Sequence, residues 1–205
     1  ALDDSPRQIY ICSLAKIFAP GVRLGYVTAA PAMLERILAR RQPAASDLRL
    51  VVSISKIIVD LERIGDEASK IAKRARDLAE DGQAPRGYVE CRHIGHHVRR
   101  MVQEALDAFA RMDTEQAFSV AREDKAVDQE YKTAMREMVT FMMEDPRSIG
   151  RVLNILWVLR SLERVGDHAR NVAEHVIYLV KGTDVRHIGL KRMEAEVKKE
   201  GNADE

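Results

Sequence analysis

The sequence predicts an all-α protein, an antiparallel bundle of long helices with a short β-type segment at its N-terminus. Three observations carry that prediction. From residue 46 onward apolar residues return at steps of three and four, over runs of about thirty residues, well above the average globular helix. Long amphipathic helices with short connections pack as antiparallel bundles. Aromatic residues are only 5% of the chain, too few for a typical β-sandwich core. Finally, one helical stretch is written twice, as "LERIGDEASKIA" at 61–72 and "LERVGDHARNVA" at 162–173, with seven of twelve positions identical. Such an internal repeat points to a duplicated structural unit.

Composition narrows the function classes. The 205 residues are 46% apolar and 32% charged, which suits a packed core under a solvated surface. A net charge of +1 argues against nucleic acid or an anionic membrane as the principal partner. Cys12 and Cys91 make no disulfide framework and fit a reducing compartment. The chain has no apolar run long enough to span a bilayer and does not open on a secretory leader.

Each element follows from local signals. Residues 9–12 and 24–28 read as strands around a Pro20-Gly21 turn. Pro31 opens a short helix that ends before Pro43. The first long helix covers 46–80, with Ser46 as N-cap and an inward stripe of Ile54, Ile57, Ile58, Leu61, Gly65, Ala68, Ile71, Ala72, Ala75 and Leu78. Gly82 and Pro85 stop it. A second helix covers 88–111, and Asp113-Thr114 breaks the chain and caps a third, 114–144. "EDPRS" separates that from a fourth, 146–181, which Gly182 ends. The tail, 183–205, is polar, with a terminal helix near 190–199 expected to be undocked.

The repeat also carries chemistry. Gly65 and Gly166 sit mid-helix at a cost of about 1 kcal/mol each relative to Ala, which points to close approach by a neighbouring helix. Each copy places two carboxylates four apart, Glu62 with Asp66 and Glu163 with Asp167. Like charges at i,i+4 destabilise a helix by about 0.2–0.5 kcal/mol. Either local arginines three residues away (Arg63 to Asp66, Arg160 to Glu163, Arg164 to Asp167) or a bound cation offsets this. On the fourth helix the oxygen-bearing line continues through Asn171 and Glu174. On the third, Asp124 and Asp128 form a further acid pair, with Asp124 inside the apolar stripe. Two such helices facing each other make a hard-oxygen site for a divalent metal or iron. The first copy turns basic at Lys70 and Lys73, so a cation belongs to the second. His93, His96 and His97 read as a solvated cluster near a helix start. No catalytic triad, phosphate-binding loop or dinucleotide fingerprint is present, so no catalytic residue is assigned.

At these residues the chain resembles the PhoU family. The resemblance runs over about 37–189 and rests on "RRQPAASDLRL" (40–50), both copies of the repeat, "EDPRSIGRVLN" (144–154) and "LERVGDHARNVAEHVIYLVKGTD" (162–184). It implies tandem three-helix bundles, each with the motif on its third helix. It also implies metal binding by Glu62, Asp66, Glu163 and Asp167, with Asp124 and Asp128 matching the family's acid pair on the preceding helix. The implied function is non-enzymatic: a cytoplasmic negative regulator of phosphate uptake and starvation signalling. Its partners would be a phosphate ABC transporter and a sensor histidine kinase, with the membrane met only through them, and it would form homo-oligomers. A metal-binding or metal-storage bundle is the alternative.

Residues 9–36 resemble something else, the lysine region of fold-type-I pyridoxal-phosphate aminotransferases. The match is Ser13, Lys16, Pro20, Gly21, Arg23, Gly25 and Tyr26, with Ala15 in place of the second serine. Lys16 and Arg23 would be the Schiff-base lysine and the phosphate-binding arginine. The rest of such an enzyme is missing, so no functional pyridoxal phosphate is expected. The domain reading is an aminotransferase-like fragment at 1–36, a remnant of a first PhoU repeat at 37–84, a complete second repeat at 85–182 and a tail at 183–205.

Overall fold

The computed structural model describes residues 10–13, 25–28, 45–80 and 88–198. The chain divides into two compact units, Ala1–Val52 and Ser53–Glu205. In the first, β1 (Tyr10–Ser13) and β2 (Gly25–Thr28) pair antiparallel, with Tyr10 opposite Thr28 and Ser13 opposite Gly25. The Pro20-Gly21 turn and the helix after Pro31 lie outside the described residues.

The second unit is helical. Helix α1 (Ala45–Glu80) enters it at Ser53. Then come α2 (Tyr88–Arg111), α3 (Thr114–Glu144), a single 3-10 turn at Pro146–Ser148, α4 (Ile149–Lys181) and α5 (Leu190–Lys198). Helix α1 starts at Ala45, which puts Ser46 inside the helix and not at its cap. Asp113 caps α3 as predicted: its carboxylate accepts from the backbone N–H groups of Glu115 and Gln116 at 3.0 and 2.9 Å. Met112 before it adopts φ 54°, the left-handed turn that reverses the chain after α2. Gly182 closes α4 at φ 74°, where a glycine costs least.

Helices α2, α3 and α4 pack on one another as a three-helix bundle. Ile94, Val98 and Met101 of α2, Val120, Val127 and Met138 of α3, and Ile155, Leu159 and Val172 of α4 are fully enclosed. Burying each such side chain stabilises the fold by about 1.5–3 kcal/mol. No helix among the described residues is long and apolar enough to cross a membrane.

Two expectations change here. The tail helix is docked: α5 packs on α3 and α4, with Met193 and Val197 buried and Val185 buried ahead of it. Two apolar residues on one face, with Val185 ahead of them, suffice, and the surrounding charges masked them in the sequence. The inward face of α1 also differs. Ile57, Leu61 and Leu78 of the expected stripe are buried, but Gly65, Ala68, Ala72 and Ala75 are exposed, and Ser53, Asp60 and Glu67 are buried as well. The three polar positions share the face of the buried apolar ones, but two of them are carboxylates, which the search for an apolar stripe passed over. They are buried because α1 lies on α4 through polar pairs. Asp60 meets His168, Glu67 accepts from the Ser161 hydroxyl, and Arg74 donates to Asn154 at 3.4 Å. The partner number falls as the α1 number rises, so the two helices run antiparallel.

Candidate metal centre

Helix periodicity brings Glu163 and Asp167 to one face of α4, and α3 crosses that face with Asp128. One carboxylate oxygen from each of the three lies within 4.8 Å of the other two. The Glu163 side chain is 12% exposed and pairs with Arg160 at 2.7 Å through one oxygen. Its other oxygen is buried and has no hydrogen-bond partner. Burial, and then the neighbouring Asp167 charge, push the Glu163 carboxyl above its ordinary value. Asp167 is raised by burial and then by Asp124 and Asp128. Three carboxylates this close cannot all stay ionised at low cost without a proton or a cation between them. The donor set is all oxygen and carries an unused acceptor, which fits a hard divalent ion or iron better than a thiolate-seeking metal.

The remaining sequence candidates are spread around this trio. Asp124 is buried and accepts from Arg170 Nη1 at 3.0 Å, while Arg170 Nε donates to buried Glu174 at 2.8 Å. One guanidinium thus holds both acids, yet burial still raises each of them. Asn171 is turned to α1, donating to Asp60 Oδ1 at 3.1 Å. Glu62 and Asp66 are exposed on α1. Of the three arginine pairs expected within the motifs, Arg160–Glu163 is formed, whereas Arg164 reaches Glu67 at 3.5 Å. Gly166 is closely approached, since a Cβ there would meet Val127 at 3.5 Å and Val98 at 3.7 Å, but a Cβ on Gly65 meets nothing within 4 Å. Lys16 and Arg23 lie outside the described residues.

Sequence reasoning missed a second polar centre. Asp60, buried on α1, takes His168 Nδ1 at 2.9 Å and lies 3.7 Å from His175 Nε2. Both imidazoles are buried, and burial lowers the His175 pKa. The available signal was His168, Asn171 and His175 at helical spacing, set against an acid in the Ser53–Ile57–Glu67 line. Of the α2 histidines, His93 and His96 are exposed as expected, and His97 differs. His97 is enclosed between Glu130, at 3.1 Å, and Glu123, at 3.4 Å, both on α3.

Comparisons with known proteins agree with this architecture. The PhoU domain model matches residues 30–75 and 91–176. The chain is 75% identical over 162 residues to the phosphate-specific transport system accessory protein PhoU homolog of Pseudomonas aeruginosa, covering 79% of this chain and 67% of that one. It is 50% identical over 154 residues to the accessory protein PhoU of Escherichia coli, covering 75% and 64%. The chain thus spans about two thirds of the length of these relatives. The crystal structure of PhoU from Pseudomonas aeruginosa superposes with a TM-score of 0.70 at 74% identity, covering 72% of this chain and 71% of that one. The phosphate transport system regulatory protein PhoU from Streptococcus pneumoniae gives 0.65 at 33% identity, covering 75% and 73%. None of this supports the aminotransferase reading of residues 9–36. With more than half of its residues matched by the domain model, the chain belongs to the PhoU family.

Proposed function

We propose that the chain regulates phosphate transport as a non-enzymatic accessory protein. It acts in the cytoplasm, coupling a phosphate ABC transporter to a sensor histidine kinase and restraining uptake and starvation signalling when phosphate is plentiful. The observation that carries this reading is its 75% identity to a relative named as an accessory protein of phosphate-specific transport. The complete helical repeat at 85–182 is the working unit, and residues 37–84 supply the motif helix of an incomplete one. The exposed small residues of α1, Gly65, Ala68 and Ala72, suit self-association.

Asp128, Glu163 and Asp167 are the proposed ligands of a divalent metal or iron, which would bring their shared charge to neutrality. The residues of the first copy, Glu62 and Asp66, are secondary, because no facing acid helix meets them among the described residues. The test joins both parts. In cells lacking the resident PhoU, the wild-type chain should restore repression of phosphate uptake. Purified protein should gain thermal stability with manganese, by about 2.7 kcal/mol at a hundredfold excess over Kd. The pair Glu163→Gln with Asp167→Asn should lose that gain, and Glu62→Gln with Asp66→Asn should keep it. Failure of repression sinks the transport reading; equal metal response in all three proteins sinks the metal centre.

A further inference from the structure

Two clefts flank the crossing of α1 and α4, and they are the two copies of one design. Trp157, Ser161 and Arg164 of α4 line the smaller cleft where Lys56, Asp60 and Arg63 of α1 line the larger. Shifting by the 101-residue repeat exchanges the two sets. The copies have diverged in charge. The larger cleft, about 790 Å³, holds Asp60, Asp167 and Glu174 among its basic residues. The smaller, about 360 Å³, is lined by Lys70, Lys73, Arg74, Arg160 and Arg164 with a single acid, Glu67.

That acid does not neutralise the cleft. Glu67, its side chain 5% exposed, is shared between Lys70 at 2.9 Å and Arg164 at 3.5 Å. Burial alone would raise its carboxyl, but hydrogen bonds from Lys70 and Ser161, together with the Lys70 and Arg164 charges, outweigh burial and hold it lowered. Arg74 meets Asp77 at 3.4 Å and Arg160 meets Glu163 at 2.7 Å. Lys73 has no carboxylate partner among the described residues. Five cations therefore face three carboxylates, and the excess equals the charge of one phosphate dianion. Clustered guanidinium and ammonium groups in a concave wall focus their field on an entering anion and offer it charge-assisted hydrogen bonds. The volume lies in the range of small-molecule sites. At its rim stands Trp157, an indole 58% exposed, available to stack on a planar group.

We propose that the smaller cleft binds the phosphate of a small phosphorylated ligand, either a nucleotide stacked on Trp157 or a free polyphosphate. Arg160 joins this cleft to the proposed metal centre through Glu163, so the test is run on the full chain in EDTA to keep cation-bridged phosphate out of the readout. Trp157 is the only tryptophan, so its fluorescence reports on the cleft directly. ATP, tripolyphosphate and adenosine are the probes. ATP and tripolyphosphate should each change the emission saturably, adenosine should not, and binding should weaken with salt. Lys73→Glu, an exposed change that should leave the melting temperature intact, should raise Kd about tenfold. Tighter ATP than tripolyphosphate, with the advantage lost in Trp157→Phe by calorimetry, assigns a nucleotide; equal affinity assigns polyphosphate. The proposal is overturned if neither anion binds saturably, if adenosine binds as well as ATP, or if Lys73→Glu binds like the wild type.

Discussion

The motif on α1 and its copy on α4 keep the same leucine, acid pair, glycine and alanines, yet their surroundings treat them oppositely. On α4, Ala169 and Ala173 are fully buried, Gly166 lies against Val98 and Val127, and the acid pair meets Asp128. On α1, Ala68 and Ala72 are exposed, Gly65 has open space, and Glu62 and Asp66 are exposed. The difference teaches that the motif is half of a carboxylate cluster. Its small residues let a neighbouring helix come close, and that neighbour brings the third carboxylate. The opposite face behaves alike in both copies, since Asp60 and Glu67 of α1 and Ser161 and His168 of α4 all lie in the crossing.

The strongest way to break this comparison is to place a charge at matched alanines. Ala169→Asp buries an unpaired carboxylate in a filled core and should cost on the order of 4 kcal/mol, enough to compromise folding. Ala68→Asp should stay within about 0.5 kcal/mol of wild type. Urea unfolding of both variants decides it, and equal losses would mean α1 carries a covering that the contrast denies.

A smaller effect separates the glycines. Gly166→Leu should cost about 2 kcal/mol by pushing on Val98 and Val127. Gly65→Leu should gain several tenths of a kcal/mol from helix propensity alone. A stabilised Gly166→Leu would show that α3 and α4 have slack where the packing places none.

The smallest effect is a pair of opposite pH dependences. The raised carboxyls of Glu163 and Asp167 hold protons that the unfolded chain would release. In metal-free protein their contribution is therefore present at low pH and lost as pH rises through the raised folded values. Glu67 is lowered, so its contribution is present above the ordinary carboxylate range and lost as pH falls through the folded value. In EDTA near neutral pH, Glu163→Gln should raise Tm and Glu67→Gln should lower it, each on the order of 2 °C. Both differences should shrink on acidification, and melting curves across the acidic range would expose a shared sign.

The helical architecture was legible because long periodic runs, Asp113, Gly182 and "EDPRS" are strong local signals. Helices α2, α3 and α4 begin and end within three residues of where those signals place them. That Glu163 and Asp167 share one face was legible as well, because four-residue spacing fixes which carboxylates of one helix lie together. The working face of α1 was legible only in part. Ile57, Leu61 and Leu78 were read inward and are buried, but the same stripe took in the exposed Gly65, Ala68, Ala72 and Ala75 and left out the buried face's Asp60 and Glu67. Telling these apart requires the partner helix, which local periodicity does not contain. The same limit hid the Asp60–His168 pair, whose members are 108 residues apart.

The crossing of α1 and α4 has an ancestry written into its register. Asp60 opposite His168 and Glu67 opposite Ser161 are the same two positions exchanged between copies. That reciprocity is the mark of an isologous pair, in which residue i of one subunit meets j of the other and j meets i. A single-repeat ancestor would have dimerised through this face, with identical helices and identical contacts on both sides. Holding both copies in one polypeptide frees each half to change alone. One side has since kept an imidazole against its acid and the other a hydroxyl, a divergence that no true homodimer can make.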